Sequence, residues 1–349
     1  MENRIKILII RRSALGDTIH TLPLLSALKN KYPNSQIDWV VDEKASQFLI
    51  NHPLINHVYV LRKKKLNKIS SIIDFLGTIL NIRSEKYDIA IDTQQLLKSA
   101  VIMGLSGAKR KIALSDGREG SFIFANEIIK SSRKQFDIHY HVVKRNLEIA
   151  EYLGANTDEI KFVLPPVLES SKIKAEFILA DLDKSKKTVV IAPETTWENK
   201  HWTEDGWRNL IDYLKDKTNI IYTGTDKDDG LSQRILKGYE DYVINLRGKT
   251  SLDDMRAVLS YADLLISPDS GTAHIAWAEG KCHIITLFFA TSGERTAPIG
   301  EKYDFVFPKC PCSPCMKRKC SLKEDINMCV QQINSKEIIK FINKHLQFE

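Results

Sequence analysis

The stretch Ala262–Glu279 constrains the fold most, because it reads as a buried strand that stops abruptly and turns straight into a helix. Leu264 to Ile266 are apolar without interruption and Pro268 cannot donate to a ladder. Asp269, Ser270, Gly271 and Thr272 then supply turn and cap chemistry ahead of an alanine-rich helical pattern. A strand that feeds directly into a helix is the unit of a parallel α/β sheet. The helix start carries N–H groups without partners and about half a positive charge, so it can cradle a phosphate, and Gly271 lets the backbone come close. An ordinary strand-to-helix turn would be written with the same residues.

The pattern recurs along the chain. Ile5–Ile10, Ile37–Val41, Val58–Leu61 and Tyr87–Asp92 read as strands of the first half, with a helix starting near Asp17 that tolerates Pro23 only in its first turns. Thr188–Ala192, Asn219–Thr225, Tyr242–Leu246 and Cys282–Phe288 join the 264–266 run in the second half. At 349 residues and 43% hydrophobic the chain exceeds one ordinary core, and Leu164-Pro-Pro-Val167 reads as a linker. Two α/β domains facing one cleft are expected, over 1–165 and 166–333, followed by an amphipathic helix within 334–349.

Several residues lie just beyond strand ends, where open parallel sheets bind ligands. Asp17 follows the first strand with only Gly16 beside it, which argues against a glycine-rich dinucleotide loop; a carboxylate there suits proton acceptance, or plain helix capping. Lys98 follows the fourth strand. Arg62, Lys63, Lys64, Lys65 and Lys68 form a basic run, either a solvated face or a grip on an anionic acceptor worth roughly 1 kcal/mol per charge. Arg118 continues that character. In the second half Thr195, Thr196 and Lys200 line a loop, and Asp226 and Asp228 follow a strand, placed to bind ribose hydroxyls or to hold magnesium against phosphates.

The net charge of +7 favours anionic partners, yet no aromatic nucleic-acid stripe or basic recognition helix accompanies it. No apolar run reaches 18 residues and no signal-peptide pattern is present, so a cytoplasmic protein is expected. Cys310, Cys312, Cys315, Cys320 and Cys329 crowd one tail. Reduced thiols are expected there, with structural zinc as the alternative, although the spacing is not a clean pair of Cys-x2-Cys knuckles.

Ser13-Ala-Leu-Gly-Asp17, Asp92 through Ser99, Thr195-Thr with Lys200-His-Trp202, and Asp269-Ser-Gly-Thr-Ala-His274 together resemble the ADP-heptose:lipopolysaccharide heptosyltransferases, inverting enzymes of glycosyltransferase family 9 with the GT-B fold. His20-Thr-Leu-Pro23, Asp38-Trp-Val-Val41 and Lys98-Ser99 are most similar to the type I enzymes, which act on Kdo-lipid A; type II transfer to the first heptose, or another GT-B enzyme such as a nucleotide-sugar epimerase, is the alternative. The resemblance implies that Asp17 is the general base and that Lys200, Thr195 and Thr196 face donor phosphate. It implies further that Asp269 holds heptose hydroxyls while Ser270, Gly271, Thr272 and His274 receive the pyrophosphate. Asp226 or Asp228 would contact the nucleoside, in place of the glutamate the family often carries after the turn at Gly224. Lys98, Arg62, Lys63, Lys64 and Arg118 would hold the acceptor. No cofactor, a monomer, a last helix crossing back to the first domain, and a peripheral place on the cytoplasmic face of the inner membrane are implied as well.

Overall fold

The computed structural model describes residues 4–62, 68–132, 137–225, 230–322, 324 and 326–348. It divides into two compact units, Met1–Pro166 and Val167–Glu349.

The first unit is a six-stranded parallel sheet: β1 (Lys6–Ile10), β2 (Gln36–Asp42), β3 (His57–Leu61), β4 (Ile89–Asp92), β5 (Arg110–Leu114) and β6 (Glu127–Ile129), in the order β3-β2-β1-β4-β5-β6. Ile7, Leu8, Ile9 and Ile10 of β1 are wholly buried, as both faces of a parallel sheet are when helices cover them. β5 and β6 lie beyond the expected strands. β5 opens on the basic residues Arg110 and Lys111, and Arg110 is engaged by Glu127 of β6 through two hydrogen bonds of 2.7 and 2.8 Å, so this part of the basic character is sheet-edge pairing. The helix expected from Asp17 is two helices, Leu15–Ile19 and Leu22–Lys31. The break moves Pro23 into the first turn of a new helix, where its missing N–H costs nothing.

The second unit has β7 (Lys187–Ile191), β8 (Thr218–Tyr222), β9 (Val243–Asn245), β10 (Leu264–Pro268), β11 (His283–Leu287) and β12 (Tyr303–Val306), all parallel, in the order β12-β11-β10-β7-β8-β9. Pro268 is the last residue of β10, where its missing donor matters least. The final helix is Ser335–Leu346. It lays Ile338, Ile342 and Leu346 into the second unit's own core, because its apolar stripe finds partners there.

Trp202 anchors that core. Its ring meets Trp207 edge-on with centroids 5.2 Å apart, and its indole N–H donates to the Ile333 carbonyl at 3.1 Å. The next helix, Glu204–Leu214, starts on a Thr203 cap that accepts the Gly206 N–H at 3.0 Å. Gly206 packs flat against the indole, and a Cβ there would lie 2.4 Å from Trp202 Cε2. Gly206→Ala should therefore destabilise the second unit by ~1–3 kcal/mol through overpacking, despite alanine's better helix propensity, read as a lower denaturant midpoint in equilibrium unfolding. An unchanged midpoint would mean that Trp202 is free to move.

Candidate active site

In the second unit the polar residues converge beyond β10. The Asp269 N–H donates to the Leu287 carbonyl at 3.0 Å, so the backbone is still held in line as it leaves the sheet. Its buried carboxylate accepts from Lys200 Nζ at 2.6 Å and from Thr291 Oγ1 at 2.6 Å on Oδ2, while His274 Nε2 lies 3.2 Å from Oδ1. Lys200 Nζ also donates to the Asp269 carbonyl at 3.0 Å. Burial alone would raise the Asp269 pKa, but the His274 hydrogen bond and the Lys200 charge outweigh it and hold the carboxyl well below the usual range. His274 reaches back because it is the fourth residue of the helix Gly271–Glu279, capped by Ser270, whose hydroxyl meets that of Ser267 at 2.8 Å. Gly271 and Thr272 are half-buried at the helix start, where N–H groups have no intrahelical acceptor.

Lys200 closes a short 3-10 turn, Glu198–Lys200, and its ammonium sits 4.8 Å from the centre of the Trp197 ring. Thr195 is half-buried, its carbonyl 2.9 Å from His201 Nε2, and Thr196 is exposed on the same loop. The structure thus brings Lys200, Asp269 and His274 into direct contact and sets Ser270, Gly271 and Thr272 at the helix start beside them. Asp226 and Asp228 lie outside the described residues. Among the described residues the acid Glu194, from the loop after β7, sits against the turn at Gly224. It accepts from Thr225 N–H at 2.7 Å, Ser232 Oγ at 3.0 Å and Arg247 Nε at 2.8 Å. A Cβ on Gly224 would lie 2.5 Å from Glu194 Oε1, so any side chain there would displace the carboxylate from this position. The one sequence signal for Glu194 is its place just beyond a strand end, immediately before Thr195.

In the first unit Asp17 is the third residue of the helix Leu15–Ile19. Its Oδ2 accepts the Ala14 N–H at 3.1 Å and lies 2.8 Å from Arg11 Nη2, and 43% of the side chain remains exposed. Arg11 is buried and donates through Nη1 to the Thr93 carbonyl at 2.7 Å, so the guanidinium that steadies Asp17 is itself fixed to the loop after β4. That loop is organised by buried Asp92, whose Oδ1 accepts the N–H groups of Gln94 and Gln95, each at 2.9 Å, and whose Oδ2 accepts Ser99 Oγ at 2.9 Å. Burial pushes the Asp92 pKa up to about 6 in spite of these donors and the Arg11 charge. Gln94 returns the tie by accepting the Arg12 N–H at 3.1 Å.

Lys98, the second residue of the helix Leu97–Leu105, and Arg118, on the loop after β5, are both exposed on adjoining segments, since the Arg118 N–H donates to the Gln95 carbonyl at 3.0 Å and Glu119 Oε2 accepts the Leu97 N–H at 3.1 Å. Buried Arg145, which the sequence did not single out, clamps this rim by pairing with Asp116 at 2.5 Å and donating to Gln95. Arg62 is not brought to it. It follows β3, three strand spacings or ~14 Å from β4, and its Nε lies 3.7 Å from Glu43 Oε1. Lys63 and Lys64 lie outside the described residues.

The tail thiols are all free. Cys310 and Cys312 have sulfurs 3.1 Å apart, Cys315 lies beside Asn199, and Cys320 accepts the Asn327 N–H at 3.4 Å. Among the described residues no group of three His, Cys, Asp or Glu side chains is placed to hold a metal ion.

Lys200→Met should leave the buried Asp269 charge under-compensated and lower unfolding stability by ~3 kcal/mol, whereas Lys200→Met with Asp269→Asn should recover most of the loss. The Asp269 pKa is depressed on folding, so its contribution is present above the unfolded carboxyl value of ~3.9 and is lost as pH falls below it. Chemical denaturation of the three proteins at neutral pH and in acid checks both points; equal losses in the single and double variants would refute the coupling.

Residues 78–325 match glycosyltransferase family 9 (heptosyltransferase). The chain is 30% identical to lipopolysaccharide heptosyltransferase 3 of Escherichia coli, over 79% of this chain and 80% of that one. It is 26% identical to lipopolysaccharide heptosyltransferase 1 of Pseudomonas aeruginosa, over 95% and 96%. A family 9 glycosyltransferase from Veillonella parvula shares the fold at a TM-score of 0.82 with 21% identity, covering 99% of both chains. The Escherichia coli heptosyltransferase WaaC with ADP-2-deoxy-2-fluoro heptose does so at 0.71 with 24% identity, covering 97% and 99%. The two parallel sheets are those of the GT-B fold, and the chain belongs to glycosyltransferase family 9, the heptosyltransferases.

Proposed function

We propose that this enzyme transfers heptose, with inversion, from ADP-L-glycero-β-D-manno-heptose to Kdo of the lipopolysaccharide inner core, carried on Kdo-lipid A. The observation that carries the reading is the Asp17 carboxylate, partly open to solvent and steadied on one oxygen by a buried arginine, which suits it to take a proton from an acceptor hydroxyl. Departing ADP gathers negative charge, which the N–H groups at Gly271 and Thr272 together with Lys200 would stabilise. Asp269 then serves heptose hydroxyls and keeps Lys200 positioned. Transfer needs no resident metal and should persist in excess chelator. The likeness to a lipopolysaccharide heptosyltransferase 1 along nearly the whole of both chains supports a type 1 reading. A monomer at the cytoplasmic membrane surface, with no nucleic-acid partner, completes the reading; among the described residues no helix is long and apolar enough to cross a membrane.

Asp17→Asn preserves size and the hydrogen bond to Ala14 but cannot accept the proton, so turnover should fall at least ~100-fold with little change in ADP affinity. A variant retaining more than about a tenth of wild-type turnover would reduce Asp17 to a helix cap. For the acceptor, Lys98→Ala and Arg118→Ala should each raise the acceptor KM without altering ADP binding. Added salt should shrink the difference, because exposed charges are screened over ~8–10 Å. Acceptor kinetics that ignore both changes at low and high salt would place the acceptor elsewhere.

A further inference from the structure

The helix Lys68–Ser84 has two apolar faces. One is covered: Ile79 and Ile82 are buried in the first unit's core, with Phe75 packed against them. The other is bare, with Ile72 57%, Ile73 62%, Leu76 51% and Leu80 66% exposed. At about 100° per residue these four fall within an arc of about 100° and extend ~12 Å along the axis, so they form one contiguous strip. Single exposed aliphatics are ordinary on a soluble protein, whereas a strip of four on one face marks a contact surface.

Charge selects what would cover it. Arg83 falls on the same arc and is exposed, and Lys86 follows just past the helix end. Glu85 is matched by Lys6 at 2.9 Å, which leaves the helix end cationic. The sequence leading into the helix, Arg62 to Lys68, holds five cations and no acid. Among the described residues Ile173 and Phe177 are also exposed on one helix, but there Lys172 and Lys174 are matched by Glu169 and Asp254 and Glu176 adds an acid, so that pair lacks this bias. A protein partner would need a shaped counterpart, but a strip of flexible aliphatics flanked by cations matches the acyl-headgroup boundary of an anionic bilayer, where apolar insertion and electrostatic attraction act together.

We propose that the outer face of the helix Lys68–Ser84 is a membrane-docking surface, which inserts Ile72, Ile73, Leu76 and Leu80 among the lipids while neighbouring cations meet anionic headgroups. The helix then lies in the plane of the interface. This deepens the reading of a lipid-borne acceptor, and its test uses vesicles free of any acceptor sugar, so failure here would leave the transfer reading intact.

The full chain is sedimented with vesicles of phosphatidylglycerol and phosphatidylcholine mixed equally, and with vesicles of phosphatidylcholine alone. Binding should require the anionic lipid and weaken with salt. The combined variant Ile73→Gln, Leu76→Gln, Leu80→Gln should partition at least ~10-fold less while keeping its circular dichroism spectrum and unfolding midpoint, since all three side chains are already exposed. In a separate variant, Leu76→Trp, the difference fluorescence against the parent chain should shift to the blue on adding anionic vesicles and be quenched by brominated acyl chains. No sedimentation of the parent chain, equal sedimentation of the triple variant, or an unshifted Leu76→Trp spectrum would each overturn the proposal. A dimer in analytical ultracentrifugation that the triple variant dissolves would also overturn it, by assigning the strip to a second copy of the chain.

Discussion

The second unit depends on a charge that could not lie where it does alone. A carboxylate buried beyond a strand end is strongly disfavoured unless its oxygens are satisfied and its charge matched. Asp269 meets both conditions through Lys200, Thr291 and His274. Each partner arrives from a different segment: the turn after β7, the loop after β11, and the helix after β10. Satisfying one buried anion therefore ties three loops together at the carboxyl edge of the sheet. It also fixes Lys200 and the start of the helix Gly271–Glu279 side by side, the two sources of positive potential that an anionic leaving group requires.

The first unit solves a related problem with another buried acid. Asp92 ends β4 and is spent on two backbone N–H groups and a serine hydroxyl, so it shapes the loop instead of meeting a ligand. Through Thr93 and Gln94 that loop grips Arg11 and the Arg12 backbone, and Arg11 in turn steadies Asp17. The open carboxylate is supported by a closed one. Both sheets thus place their chemistry beyond the carboxyl ends of parallel strands, as open α/β sheets do.

Much of the fold was legible because strands buried on both faces must be written as short continuous apolar runs. β1, β7 and β10 contain such a run, and β2 and β11 depart from it at buried Asp38 and Thr286. β5, β6 and β12 lie toward or at the sheet edges and carry charged or half-exposed residues, Arg110 and Glu127 among them, so their pattern resembles a polar loop. Asp17, Lys200 and the turn at Asp269 could be found from their place after strand ends. The pairing of Lys200 with Asp269 could not, since sequence spacing does not reveal which of several loops will meet. Glu194 was hidden for the same reason, its donors being Thr225, Ser232 and Arg247 on separate segments. In the helix Lys68–Ser84, apolar content alone could not show that one stripe of isoleucines and leucines is covered and another bare.

The proposed heptosyl transfer needs both substrates, and the most direct measurement follows ADP release from ADP-heptose with and without Kdo-lipid A. ADP should accumulate only when Kdo-lipid A is present, in step with a heptosylated lipid seen by mass spectrometry. Donor consumed at the same rate without acceptor would indicate a hydrolase or epimerase, and ADP-heptose left intact beside Kdo-lipid A would contradict the proposed donor and acceptor pair.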